Sequence, residues 1–366
     1  MKVCHFTSVH HRYDTRIFIK QSRSLAKSDF DVKLIVADGK GDQVCQEVSI
    51  IDVGKSSENR FIRFFKTGWK VYRAAKKQCA HIYHFHDPEL IFFALLLRLS
   101  GMKVIYDVHE DLPRQIVSNK PYIPKSIRKI LAWIAETIEN VFATKMNAII
   151  TVTPYIADRF RFRCKNVEVL YNFPIIDLES SFPNWNDKNK EVCYVGSLSK
   201  ARGVVELVES LQFNNFKLNL GGSFNDKGLE KKVTSMVSWS NVNYHGYVNR
   251  DQLDAILEKS MVGIVTLYHT DSYRFAIPVK LFEYMRAGIP VVISDIPLWK
   301  RMVEQANCGV VVNPKDSAAI SEAVQELINN PEKAEELGRN GWEVVRERYN
   351  WANEEEKLLN LYQKLK

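Results

Sequence analysis

No stretch of these 366 residues is apolar for long; Leu90 to Leu97, the longest run, falls far short of a bilayer-spanning helix of ~20 residues. The opening Met-Lys-Val-Cys-His-Phe leads into no extended apolar segment, so it reads as a strand and not as a secretory leader. The six cysteines, Cys4, Cys45, Cys79, Cys164, Cys193 and Cys308, contain no C-x-x-C pair. That excludes a recognisable disulfide framework and fits a reducing cytoplasm. G-x-G-x-x-G is absent, which disfavours a dehydrogenase, and Gly54-Lys-Ser56 lacks the upstream glycine of a P-loop. A serine nucleophile elbow is missing too. Asp29-Phe-Asp31 precedes a strand instead of ending one, which misplaces it as a metal-binding acid pair. No histidine–carboxylate spacing recommends a metal: His84-Phe-His86-Asp-Pro88 reads as a strand followed by an Asp87 helix cap, with His86 a candidate for lining a ligand site.

What is present is an ordinary soluble composition, 46% hydrophobic and 26% charged, with a net charge of +8. The charge is lopsided. Residues 1–173 hold 28 Lys+Arg against 17 Asp+Glu, and the remainder 23 against 26. A basic first half suits an anionic lipid surface or a lipid-phosphate acceptor, or is simply a solvated face. With no helix-turn-helix, zinc finger or aromatic RNA-binding signature, nucleic acid is not expected as a partner. Phe61 to Arg73 mixes aromatics and cations at helical spacing. Such a helix can lie on an anionic membrane or cover a sheet with its lysines outward, and the pattern alone favours the second.

Short apolar strands alternate with amphipathic helices along the whole chain, as in doubly wound parallel sheets. The first six strands are expected near residues 3–7, 32–36, 82–85, 103–107, 148–152 and 167–170, and six more between 191 and 312. The stretch 174–190 is polar and carries Pro174 and Pro183, so it is expected as a linker between domains 1–173 and 191–348. Ligands of such sheets sit beyond the carboxyl ends of the strands.

The segment Pro278-Val-Lys-Leu-Phe-Glu-Tyr-Met-Arg-Ala-Gly-Ile-Pro-Val-Val292 is the most informative. Pro278 suits the first turn of a helix, Gly288 ends it, and Pro290 to Ile293 reads as a buried strand. Free N–H groups at the helix start attract phosphate. Lys280 can clamp a diphosphate there, and Glu283, one turn on, can accept from ribose hydroxyls. Val279 and Leu281 flank them. Upstream, Tyr194-Val-Gly-Ser-Leu-Ser-Lys-Ala-Arg-Gly203 runs from strand to helix. Gly196 and Gly203 admit close backbone approach, and Arg202 can hold a phosphate through two parallel bonds.

The Pro278–Val292 segment resembles the donor site of the GT-B glycosyltransferases of family 4, also called group 1. Glu283 matches the second glutamate of that family's E-x7-E motif; Phe275 stands where the first would be. Gly196 to Gly203 is similar to the family's G-R-L-x-x-x-K-G segment, with Ser197 at the arginine position and Arg202 at the lysine position. Lys280, or less directly Lys200, then supplies the second cation.

The resemblance implies a GT-B fold, α/β, with two Rossmann-like domains facing across a cleft and a last helix, in 349–366, returning to the first domain. It implies retaining sugar transfer from a nucleoside diphosphate to a saccharide or lipid-linked acceptor, with no metal or other cofactor, in the cytoplasm or at the inner face of the membrane. His109, in Tyr106-Asp-Val-His-Glu-Asp111, resembles the family histidine that faces the donor sugar, and Glu110 is a candidate acceptor contact. The loop Ser8 to Arg16 corresponds to the family loop bordering acceptor and sugar, making His10, His11, Arg12, Asp14 and Arg16 candidates; Asp14 equally suits a helix cap. Gly222 is expected to approach the nucleotide through its backbone, and Tyr247 and Val248 to border the base. Arg202, Lys280, Glu283 and His109 are the expected catalytic set. Two alternatives stay open: a non-hydrolysing sugar-nucleotide epimerase, and a nucleotide-binding partner without turnover.

Overall fold

A computed structural model describes residues 1–118, 123–214 and 216–366. Two compact units emerge, Met1–Asn172 with Trp351–Lys366, and Phe173–Asn350. Residues 174–190 belong to the second unit, where Trp185 Nε1 donates to the Gly288 carbonyl at 3.1 Å.

The first unit holds β1 (Lys2–Phe6), β2 (Asp31–Val36), β3 (Gln43–Cys45), β4 (Val48–Asp52), β5 (Ile82–Phe85), β6 (Lys103–Val108), β7 (Ala148–Thr151) and β8 (Val167–Val169). Their order is β3-β4-β2-β1-β5-β6-β7-β8. Side chains alternate between two apolar layers, one per face. Cys4, Phe6, Tyr83, Phe85, Val104 and Tyr106 enter one layer, and Val3, Ile82, Ile105 and Ile150 the other. The helix Trp351–Lys364 closes the second layer with Leu358, Leu361 and Tyr362, and Trp351 Nε1 donates to Ser24 Oγ at 2.9 Å.

One strand departs from the expected parallel pattern. β3 runs antiparallel to β4 through a two-residue turn in which Gln46 and Glu47 have φ of 48° and 65°. A type I′ turn ordinarily announces itself as Asn-Gly, and Gln-Glu gives no such signal.

The second unit holds β9 (Glu191–Val195), β10 (Lys217–Gly221), β11 (Val242–Gly246), β12 (Val262–Val265), β13 (Val291–Ser294) and β14 (Gly309–Val312), all parallel, in the order β11-β10-β9-β12-β13-β14. Strand order reverses between β9 and β12 here, and between β1 and β5 in the first unit. At such reversals adjacent loops leave in opposite directions and open a crevice at the carboxyl ends. Among the described residues, no helix is long and apolar enough to cross a membrane.

Candidate active site

In the second unit the β9–β12 reversal gathers the glycine and cation motifs. Gly196 follows β9 with φ of +147°, and a Cβ there would lie 2.6 Å from Lys280 Cε, 2.8 Å from its Nζ and 3.5 Å from Arg202 Nη1. Both cations therefore lie over one bare stretch of backbone. Gly222, φ +138°, packs so closely that a Cβ would fall 1.9 Å from the Gly196 carbonyl. Lys280 Nζ sits 3.6 Å from the centroid of the Tyr194 ring and is buried with no hydrogen-bond partner. Burial, and then the charge of Arg202, push its ammonium well below the ordinary lysine range. Tyr194 and Tyr273 lie beside Arg202 and help hold its guanidinium above the ordinary range against burial; neither was legible as a site residue. Thr266 Oγ1, at the end of β12, is a second buried polar atom without a partner.

Gly203 has φ of +68°, and a Cβ on it would meet the Thr266 carbonyl oxygen at 2.0 Å. Gly203→Ala is expected to cost about 1–3 kcal/mol, from left-handed strain plus a backbone clash that no rotamer relieves. Urea unfolding of the variant measures it; a loss below a few tenths of a kcal/mol contradicts the packing.

The helix Val279–Arg286 begins at Val279, with Pro278 as its N-cap and no side chain capping it. Leu281 was expected near substrate. Its side chain is instead buried in the core, and its N–H is taken by the Pro278 carbonyl at 3.1 Å, because the i+3 and i+7 face of this helix must fill the space under β12 and β13. Val279 is part-exposed at the helix head. Glu283 is not paired with Arg202 or Lys280. Its carboxylate accepts from Arg250 Nη1 and Nη2 at 2.9 and 3.0 Å, and from Arg286 Nε at 3.1 Å. Any hydroxyl reaching this carboxylate must share or displace that bidentate pair. Arg250 carries no motif and was missed. Phe275, at the position of the absent glutamate, lies 5.4 Å from the Arg274 guanidinium, and Trp299 Nε1 anchors the next carbonyl, of Ala276, at 2.7 Å. Ser197 and Tyr247 are exposed, and Val248 packs over Gly221.

In the first unit, loops after β1, β5 and β6 meet at the other reversal. Asp87, expected to cap a helix, makes no side-chain cap; its Oδ2 accepts from Thr7 Oγ1 at 2.7 Å and from the Ser8 N–H at 2.6 Å. Asp14 caps the helix Thr15–Ser22 through the Arg16 and Ile17 N–H groups and also pairs with His10 Nδ1 at 3.1 Å. Burial opposes both charges of that pair. Their mutual hydrogen bond nevertheless keeps His10 above the ordinary imidazole range and Asp14 below the ordinary carboxylate range. His10 Nε2 also approaches Asp87 Oδ1 at 3.5 Å. His11 is exposed.

Arg12 and Arg16, expected as acceptor contacts, are instead buried and paired within the first unit. Arg12 is buried and forks onto Asp38 at 2.8 and 2.7 Å, with Gln43 and the Gly41 carbonyl. Arg16 is buried against Asp107 at 3.0 and 2.8 Å and bonds the Leu170 carbonyl. A guanidinium drawn beneath the surface must find carboxylate partners, and these two did so inside the unit. Arg16 and Gln21 reach Asp107 together because Thr15–Ser22 is π-helical, which stacks residue i over i+5. Glu110 is exposed and accepts from Gln115.

His109 is 17% exposed at its side chain, and its Nε2 lies 3.2 Å from Asp107 Oδ2 and 3.2 Å from His86 Nδ1. His86 Nε2 pairs with His5 Nδ1 at 3.0 Å, His5 Nε2 with the Tyr362 hydroxyl at 3.2 Å, and that hydroxyl with His84 Nδ1 at 2.7 Å. Burial pushes His86 down to about 3 and His5 and His84 well below the ordinary range, so these three rings are neutral. Each neutral ring has one donor and one acceptor nitrogen, so the tautomer of one ring constrains the next, and Asp107 Oδ2, 3.3 Å from His86 Nδ1, is a further acceptor at that end. Asp107 stays ionised: burial opposes its charge, but Arg16 and His109 outweigh it and hold the carboxyl well below its usual range. His86, Asp107 and His109, and likewise His5, His84 and His86, bring possible ligand atoms within 4.8 Å, a grouping that linear spacing concealed. What they form here is a hydrogen-bonded chain.

Two Rossmann-like sheets, each with its loops gathered at a strand reversal, define the architecture, and the second carries a cation pair there. Residues 176–344 match the family of glycosyl transferases group 1, and residues 16–178 match glycosyltransferase family 4. The D-rhamnosyltransferase WbpZ of Pseudomonas aeruginosa is 25% identical over 272 residues, 70% of this chain and 66% of that protein. Curated relatives are matched over 44% to 74% of their own lengths. Sucrose-phosphate synthase from Thermosynechococcus elongatus superposes with a TM-score of 0.76 at 18% identity, covering 100% of this chain and 98% of that one. Anabaena HepE in complex with UDP and glucose gives 0.74 at 12% identity, with both chains fully covered. The chain belongs to the group 1, family 4 glycosyltransferases and has the GT-B fold.

Proposed function

We propose that this protein transfers a sugar from a nucleoside diphosphate to an acceptor hydroxyl, retaining the anomeric configuration. The observation that carries the reading is Lys280 Nζ, buried, unpartnered and laid with Arg202 over Gly196. An ammonium held in that way lacks an anion, and a diphosphate supplies one. In the proposed reaction the bond between the anomeric carbon and the diphosphate oxygen breaks, and the acceptor oxygen bonds to that carbon on the same face. The acceptor's proton leaves with the diphosphate. Negative charge grows on the departing phosphate, and the two cations stabilise it more in the transition state than in the bound donor. The reading includes no metal or other cofactor. In this reading His109, whose Nε2 is engaged with Asp107, keeps Nδ1 as the nitrogen left to serve a sugar hydroxyl, the role the family resemblance implies. A saccharide or lipid-linked acceptor in surface-polysaccharide or glycolipid assembly fits the basic first unit and the likeness, 23% identity over 192 residues, to the capsular polysaccharide biosynthesis glycosyltransferase CapM of Staphylococcus aureus.

Thermal-shift measurements with UDP-, GDP- and ADP-sugars test it, since a bound donor raises the apparent stability. One nucleotide class is expected to shift the midpoint, and the matching sugar to appear on an acceptor. Absence of any shift removes the donor site; epimerisation of the donor without acceptor, or binding with no transfer to any acceptor, replaces the activity.

A further inference from the structure

The helix Lys125–Ala143 is inside out. Ile127, Ile130, Leu131, Ile134, Ile138 and Val141 form one stripe along it and are each 40% to 58% exposed, with Trp133 beside them at 67%. Its inward face holds Glu139, which accepts from the Tyr106 hydroxyl at 2.8 Å and from Arg159 at 2.8 Å. An amphipathic helix covering a sheet ordinarily does the reverse. Its other carboxylate, Glu136, is paired with Arg114 at 3.0 Å.

Two neighbouring helices continue the surface. All three contribute to one apolar layer of the first sheet through Val71, Tyr72, Phe93, Leu97 and Ala143, so they lie on the same face. The helix Ile91–Leu99 packs against both others and exposes Phe92 and Leu99. On the helical segment 60–77, Phe61, Phe65 and Trp69 recur every fourth residue and are 78%, 65% and 47% exposed. Lys66, Lys70, Arg73, Lys76 and Lys77 are exposed on the same segment, and residues 61–77 contain no carboxylate. The segment covers the first sheet with its lysines outward, as expected, through Val71, Tyr72 and Ala75, but Phe61, Phe65 and Trp69 face out as well.

We propose that this three-helix face docks on an anionic lipid bilayer. The charge decides between occupants. A second copy of this chain would bring the same cations opposite themselves, whereas a layer of anionic headgroups neutralises the lysines while the acyl boundary takes up the aromatic and aliphatic side chains. The surface stands independently of the transfer reading.

Flotation with vesicles of phosphatidylcholine alone, and of phosphatidylcholine with phosphatidylglycerol, tests the proposal, using three double variants: Phe65→Ser with Trp69→Ser, Ile130→Ser with Ile134→Ser, and Lys66→Glu with Lys70→Glu. All six side chains are solvent-facing or part-exposed, so thermal unfolding is expected to stay near wild type. Wild type is expected to bind the phosphatidylglycerol vesicles, less so at high salt, and each double variant on the order of tenfold more weakly. The nucleotide-induced thermal shift is expected to be unchanged in all three; its loss bears on the transfer reading and not on this face. Failure of wild type to bind, or equal binding by all variants, overturns the proposal. So does a concentration-dependent dimer, seen in sedimentation, that the Ile130 and Ile134 substitutions abolish.

Discussion

Lys280→Met is expected to lower transfer on the order of 10²- to 10³-fold while leaving the empty protein no less stable than wild type. The loss follows from removing one of two charges placed together for a developing oxyanion, one of them on a buried nitrogen. The undiminished stability has a separate cause. Lys280 Nζ is buried without a hydrogen-bond partner, so the folded state carries an uncompensated desolvation cost that methionine, of similar length, does not. The pH dependence separates the two. Because the folded pKa is depressed, the unfolded chain binds more protons than the folded one, and this group makes wild-type stability rise with pH until the unfolded lysine titrates near ~10.4. The variant lacks that slope. Diphosphate binding should also draw a proton onto Lys280, so calorimetry in buffers of different ionisation enthalpy should register uptake in wild type and less in Lys280→Met. Full activity in the variant would remove Lys280 from the site.

Asp107→Ala is expected to destabilise the first unit by about 3–5 kcal/mol, because it leaves the Arg16 guanidinium buried and without its countercharge. The same change removes the acceptor that holds His109 Nε2–H, so activity should fall beyond what unfolding explains. Replacing both members, Asp107→Ala with Arg16→Met, should recover part of the stability but none of the activity, since a missing pair costs less than a broken one. The pH dependence has the opposite sign to that of Lys280. Asp107 has a depressed folded pKa, so its stabilisation is present above the unfolded value of about 3.9 and is lost as pH falls toward the folded value. Urea midpoints from neutral to acidic pH measure this; a variant as stable as wild type would show that Asp107 is not the anchor.

The readable and hidden parts of this site differ in one respect, the distance over which a signal acts. Gly196, Arg202, Gly203 and Lys280 sit in short strand–loop–helix segments whose backbone demands are local, and they come together at one reversal as the motifs suggest. Asp107 gave no such warning, because its partners Arg16 and Gln21 are 91 and 86 residues away. A carboxylate inside an otherwise apolar strand was nevertheless a usable clue, since it cannot be buried unpaired. Arginines 12 and 16 misled for the converse reason: a cation in a loop after a strand looks identical whether it turns outward or is drawn beneath the surface. Strand alternation was clear wherever both faces are apolar, as in β5 and β12, and failed at the β3–β4 hairpin, whose turn residues adopt left-handed backbone without glycine or asparagine.

The hydroxyl of Tyr362 has a consequence for how the polypeptide is made. His5 and His84 emerge from the ribosome early, yet the group that orders both is encoded some three hundred residues later in the message. The first unit is therefore discontinuous, and its second apolar layer stays open while the entire second unit is being synthesised. Folding of the leading half cannot finish during elongation in the usual amino-to-carboxyl sequence. Until the closing helix is translated, that layer is an apolar surface of the kind that makes a partly made chain prone to aggregate.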